Sequence, residues 1–141
     1  MSDRSRRKYV IVIGCGRVGA QLANLLDAAG DAVVIVDRSA DSFKRLSPDF
    51  GGSTMVGDAK NSKLLERAGI RSADALVTAT QGDNTNIMIA QIAQRVYDVQ
   101  QVVARCYDPV RSDAYAALGL RTVCPTRTGA QMLRDALQDS G

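Results

Sequence analysis

Histidine and tryptophan are absent from these 141 residues, phenylalanine occurs twice, and no apolar run approaches the length of a membrane span. Without an imidazole the chain lacks the commonest general acid and base of hydride-transfer enzymes. None of Tyr9, Tyr97, Tyr107 or Tyr115 has a lysine four residues on, which removes the Tyr-x-x-x-Lys arrangement as well. The scarcity of aromatics points to an aliphatic core of Val, Ile, Leu and Ala. A spanning helix needs ~20 apolar residues, so any link to a membrane must run through a partner. Tyr9 to Ile13 follows a basic start, but this apolar run is too short for a secretory signal and stops at Gly14. Three cysteines, Cys15, Cys106 and Cys124, are odd in number and lack C-x-x-C spacing. That pattern argues for free thiols in a reducing, cytoplasmic setting and against disulfides or a zinc site.

What is present is ordinary for one globular domain: 45% hydrophobic residues and 23% charged. The net charge of +3 is concentrated at the start, where Arg4, Arg6, Arg7 and Lys8 face only Asp3. The remainder is near neutral, which argues against a nucleic-acid surface. The expected organisation is a basic tail over residues 1–8 and a single nucleotide-binding domain over 9–141.

The most informative stretch runs from Tyr9 to Asp37. A β-branched run, Tyr9-Val-Ile-Val-Ile13, feeds Gly14-Cys15-Gly16-Arg17-Val18-Gly19, which opens an amphipathic helix; a second apolar run, Val33 to Val36, ends in Asp37. Strand, G-x-G-x-x-G, helix, strand and acid form the dinucleotide-binding fingerprint. Gly14 permits the tight turn, Gly16 lets a pyrophosphate approach the backbone, and Gly19 allows close packing of helix and strand. Helix N–H groups then face the phosphates, and Asp37, 18 residues after Gly19, is placed to accept hydrogen bonds from ribose hydroxyls. The carboxylate favours NAD or an adenine nucleotide over NADP, although Arg38 beside it suits a further phosphate. Cys15 reads either as a small filler or as a helix-terminal thiol of lowered pKa.

Further along, the pattern predicts helices over Arg17 to Ala29, from a Ser39 cap through Leu46, around Leu64 to Ala68, and over Ile87 to Val96 with Asp83 as cap. Two more follow Asp108-Pro109 and Pro125. Strands are expected at Ser53 to Val56, Ala75 to Ala79, Gln101 to Arg105 and Leu120 to Cys124. Six strands alternating with helices imply a Rossmann-like α/β fold: a doubly wound parallel sheet of order 3-2-1-4-5-6, with its ligand crevice between the Gly14 loop and the loop after strand four. Apolar residues crowd the helix from Ile87 to Val96, and Leu133 and Leu137 form a stripe on the last helix; both features predict a two-fold dimer.

Several motifs together resemble one family, the regulator-of-K+-conductance (RCK, or KTN) domain of TrkA-type potassium-uptake proteins. They are Gly14-Cys-Gly-Arg17, Val36-Asp37-Arg38, Gly57-Asp58-Ala59, Thr78-Ala79-Thr80 followed by Asp83-Asn84 and Asn86, Val103-Ala-Arg105, and Val123-Cys-Pro125. The resemblance implies that Arg17 reaches ligand phosphates and Asp37 holds the ribose. It implies that Asp58 and Ala59 line the adenine end, that Ala79, Thr80 and Gln81 cover the middle, and that Arg105 approaches from strand five. From the residues alone, Asp58 could equally cap a helix and Arg105 form a structural salt bridge. The implied function is a cytosolic regulatory subunit, not an enzyme, that binds NAD(H) or ATP, ADP or AMP; the competing reading of the residues is a small NAD-dependent oxidoreductase. It would act as a homodimer, or a ring of dimers, on a membrane K+ channel or transporter. Two departures stand out: Thr126 occupies a place where some members carry an acid, and the family's smaller C-terminal ligand domain is not expected within these residues.

Overall fold

A computed structural model describes residues 7–139. The basic tail predicted over residues 1–8 therefore lies, except for Arg7 and Lys8, outside the described residues. Six parallel strands form one sheet of order β3-β2-β1-β4-β5-β6, as the alternating pattern predicts: β1 Tyr9–Ile13, β2 Ala32–Asp37, β3 Ser53–Val56, β4 Ala75–Thr78, β5 Gln101–Arg105 and β6 Arg121–Val123. β1 lies between β2 and β4, with Ile11 opposite both Val34 and Leu76. The sheet order reverses direction at this pair, so the loops after β1 and β4 diverge and leave a crevice above the strand ends.

The central strands are apolar throughout because both their faces are covered. Alternate residues nevertheless serve different cores. Val10, Val12, Val33 and Ile35 meet Ala20 and Ala23 of α1 (Arg17–Ala28) together with Phe43 and Leu46. Ile11, Ile13 and Val36 pack on the opposite face with Leu64 and Leu65 of α2 (Ser62–Arg67) and Ile87, Ile89, Ala90 and Ala93 of α3 (Asp83–Arg95). Aliphatic side chains close both layers, as the composition suggests.

The remaining helices are α4 (Pro109–Ala117) and α5 (Pro125–Asp139). Asp108 caps α4 as expected, its carboxylate accepting the Val110 N–H at 3.1 Å, with Pro109 at the first helical position. Other local expectations are corrected. The α-helix predicted after Ser39 is a 3-10 segment, Ala40–Arg45, and the Ser39 side chain makes no cap; its N–H instead donates to Asp37. Asp83 is not the cap of α3, because Gly82 holds that position. The Asp83 carboxylate accepts the N–H groups of Tyr107 and Asp108 at 2.8 and 3.1 Å, fastening α3 to the turn after β5.

Of the apolar residues crowded on α3, Ile87, Ile89, Ala90 and Ala93 are buried within the chain, Ile92 is half-buried, and Met88 and Val96 are exposed at 39% and 66%. A larger apolar face in need of cover lies on α5. It buries none of its residues, with Met132, Leu133 and Leu137 66–77% exposed.

Candidate functional site

The crevice is a cleft of about 770 Å³ over the C-terminal ends of the central strands. Its first wall is the loop between β1 and α1. Gly14 has φ +103°, and a Cβ there would stand 2.8 Å from the backbone of Ala79 and Thr80. Only glycine meets both conditions. A Cβ on Gly19 would fall 1.8 Å from the Gly14 carbonyl oxygen. Gly19 therefore seats the helix against its own loop and does not line the cleft, whereas the other thirteen candidate residues do. A Cβ on Gly16 would meet nothing within 4 Å, and no side chain caps α1 at this position. Among the described residues no side chain caps the first N–H groups of α1, which leaves them available to an anion.

Asp37, at the end of β2, accepts the Cys15 N–H at 2.9 Å through one oxygen and the Ser39 N–H at 3.0 Å through the other. It is thus a staple between the glycine loop and β2 as well as an acceptor facing the cleft. The alternative of a reactive Cys15 is overturned. The thiol is fully buried and donates to the Ser42 carbonyl at 3.3 Å. Burial and the nearby Asp37 charge push its pKa up, against an opposing pull from Arg45.

Asp58 does not cap α2. Asn61 does, its side chain accepting the Lys63 N–H at 2.9 Å. The Asp58 carboxylate accepts the Lys60 N–H at 2.9 Å and closes the turn after β3, with Ala59 buried behind it.

The far wall is held by a residue that the sequence reading did not count as part of the site. Asn86 is fully buried on α3 and uses its whole amide. Its oxygen accepts from the N–H and hydroxyl of Thr80, and its nitrogen donates to the carbonyls of Thr80 and Arg105 at 2.9 and 3.0 Å. The ends of β4 and β5 are thereby tied together. An amide that carries both donors and an acceptor suits this task, but long-range carbonyls as partners leave no local sequence signal.

Arg105 enters from β5. Its guanidinium lies over the Tyr107 ring, 4.1 Å from the centroid, and donates to the Ala79 carbonyl at 3.4 Å. Its Nε is buried without a partner, and among the described residues no carboxylate pairs with it, which removes the salt-bridge alternative. Burial pulls its pKa down, with Asp83 opposing. A buried donor without an acceptor suits an anionic guest.

Arg45 and Lys60 also line the cleft and were not among the predicted residues. Together with Arg17, Arg38 and Arg105 they make five cations against two carboxylates, Asp37 and Asp58. Such a surplus in a concave site attracts phosphates. Among the described residues no group of three or more Cys, Asp or Glu is arranged to hold a metal, and no helix is long and apolar enough to cross a membrane.

Known proteins share this fold. The Trk system potassium uptake protein TrkA of Streptomyces coelicolor is 42% identical over 130 residues, covering 92% of this chain; the chain spans 58% of that relative's length. The Kef CTD of Shewanella denitrificans in its AMP-bound form superposes with a TM-score of 0.78 at 29% identity, covering 94% of this chain and 82% of that one. The GsuK channel bound to NAD gives 0.81 at 26% identity, covering 96% of this chain and 24% of that one. The TrkA-N domain family matches residues 10–125, nearly the whole sheet with α1 to α4 and the cleft, and the chain belongs to that family.

Proposed function

We propose that this chain is the nucleotide-sensing part of a cytosolic regulator of potassium uptake, and that the cleft above β1 and β4 binds NAD(H) or an adenine nucleotide. The observation that carries the reading is the convergence of an uncapped helix start, the Asp37 carboxylate and five cations on one crevice at the sheet's reversal point. In this arrangement Gly16, Arg17 and Val18 take the phosphates, with Arg105 reaching across from β5. Asp37 accepts from the ribose, and Asp58 and Ala59 border the adenine. Thr80 and Gln81 close over the middle.

The solved neighbours with bound AMP and NAD support a nucleotide ligand, and the relatives are named for potassium transport and not for a reaction. A regulator must also pass its state to a partner. We assign that step to a second copy of the chain joined through α5, with the pair acting on a membrane K+ channel or transporter. Ligand control then requires that nucleotide bind one arrangement of the pair better than the other.

Calorimetric titration of the chain with NAD, NADH, ATP, ADP and AMP tests the reading. Saturable binding of at least one ligand at a stoichiometry of one per chain is expected. Absence of heat and of any melting-temperature shift with all five would sink it.

A further inference from the structure

Cys106 and Cys124 follow directly on β5 and β6, and neither lines the nucleotide cleft. The register of these strands sets Arg105 opposite Val123, and the Cys106 N–H continues the ladder by donating to the Val123 carbonyl at 3.0 Å. Cys106 and Cys124 are therefore the next opposed pair. Opposed residues of parallel strands carry their side chains on one face, and strands about 4.8 Å apart put their Cα atoms inside the ~4.4–6.8 Å window of a disulfide. Both sulfurs also converge on one turn. The Cys106 thiol donates to the Asp108 carbonyl at 3.6 Å and the Cys124 thiol to the Tyr107 carbonyl at 3.4 Å, two consecutive residues. Cys15, the third thiol, lies after β1, with β4 between that strand and β5, and bonds to Ser42 instead.

The two thiols are not equivalent. Cys106 is fully buried, and burial first, then Asp83, push its pKa up. Cys124 keeps 7% of its surface exposed. It directly precedes Pro125 at the start of α5, its carbonyl accepts the Thr128 N–H at 3.0 Å, and its charge when ionised acts on Arg127. A small oxidant therefore meets Cys124 first.

We infer that Cys106 and Cys124 form a reversible dithiol–disulfide site that ties the end of β5 to the start of α5 when a peroxide is present. A reducing setting keeps both as thiols at rest. The Cys124 thiolate attacks one peroxide oxygen, the O–O bond breaks, and the departing hydroxide takes up a proton as water, which leaves a sulfenic acid. Cys106 then gives up its proton and attacks the Cys124 sulfur; the S–O bond breaks and a second water leaves with that proton. Two thiols lose two electrons and one peroxide becomes two waters. Closure also withdraws both thiol donors from the Tyr107–Asp108 turn, and Tyr107 lines the cleft. The site stands independently of the nucleotide reading.

The test treats the reduced full chain with hydrogen peroxide, blocks remaining thiols by alkylation in denaturant and maps the digest by mass spectrometry. A Cys106–Cys124 cross-linked peptide is expected, with an intact mass lower by two hydrogen atoms and loss of two of the three free thiols. Dithiothreitol should restore both. Amide exchange at Thr128 should slow in the oxidised chain. Cys106→Ser should lose the cross-link and leave a Cys124 sulfenic acid that dimedone traps, while Cys15→Ser should cross-link as the wild type does. The wild-type map decides the matter even if a serine variant does not fold. Three thiols surviving under native conditions, a Cys124 sulfinic acid, a disulfide between chains, or a bond that forms only after unfolding would each overturn the site. A cross-link that leaves Thr128 exchange unchanged would refute the tether.

Discussion

At the scale of single residues, the cleft is built from groups with divided duties. Asp37 accepts from Cys15 and Ser39 and also faces the cleft, so Asp37→Ala should register twice. Loss of a charged acceptor for ribose hydroxyls should cost about 1.5–3 kcal/mol of nucleotide affinity, at least tenfold, and the freed glycine loop should lower the melting temperature of the ligand-free chain. Calorimetry and thermal melts read the two effects separately, and wild-type affinity in the variant would remove Asp37 from the ribose. Arg105 makes the opposite case. Its guanidinium is held partly buried with one nitrogen unsatisfied, an arrangement that costs the fold stability unless an acceptor from outside the chain supplies the missing bond. Arg105→Met, which removes the guanidinium but keeps a long apolar side chain, should weaken nucleotide binding without lowering the melting temperature of the free chain. A drop in melting temperature with unchanged affinity would make Arg105 structural. That Asp37 lies in the site was legible from its spacing to Gly19. The missing partner of Arg105 was not, because it depends on where Ala79, Asp83 and Tyr107 come to rest around it.

At the scale of elements, the first turn of the last helix is fastened to its neighbour. Arg127, in the first turn of α5, makes a two-pronged pair with Asp113 of α4 at 2.8 and 3.0 Å and also donates to the Pro109 carbonyl. The hydrogen bonds from Arg127 hold the Asp113 carboxyl below its ordinary value of 3.8. A carboxyl with a depressed folded-state pKa contributes stability above its unfolded value and loses it as pH falls through the folded value. The attachment should therefore persist at neutral pH and fail only below the usual carboxylate range. Arg127→Ala should speed amide exchange in the first turns of α5 at pH 7 and leave exchange in the central strands unchanged; protection equal to wild type would place the anchor elsewhere. Both residues are solvent-exposed, so the global melting temperature should barely move. Periodicity located α5 correctly from Pro125 onward. It could not decide between α-helix and 3-10 after Ser39, where a short segment with only Phe43 and Leu46 to bury lacks the apolar stripe that would stabilise full turns.

At the scale of the whole molecule, α5 offers an apolar stripe that the described residues leave exposed. Met132 and Leu133 are 66% and 71% exposed on a helix with no buried residue. A second copy of the chain would cover this stripe with two-fold symmetry. Light scattering at micromolar concentration should give twice the mass of the chain, and Leu133→Asp should return it to the monomer while nucleotide still binds. A monomeric wild type, with and without nucleotide, would sever the proposed route from cleft to channel.

Sequence by itself determined the elements whose signals are local. The β-branched runs at Tyr9–Ile13 and Ala32–Asp37 became strands buried on both faces, the spacing of Gly14, Gly16 and Gly19 became a strand-turn-helix, and Asp108-Pro109 became a capped helix start. Alternation of strands and helices, with right-handed crossovers, was enough to set the sheet order. Tertiary structure decided whatever depends on partners distant in the chain. It moved Asp83 from the cap of α3 to the turn at Tyr107, spent the Asn86 amide on Thr80 and Arg105, and sank most of the apolar residues of α3 into the sheet. It also brought Arg45 to the wall of the cleft, where its guanidinium donates to the Cys15 carbonyl. The physical reason is common to all of these: periodicity reports which side of an element is apolar, whereas a polar side chain is committed only when the folded backbone brings a donor or acceptor within about 3 Å of it.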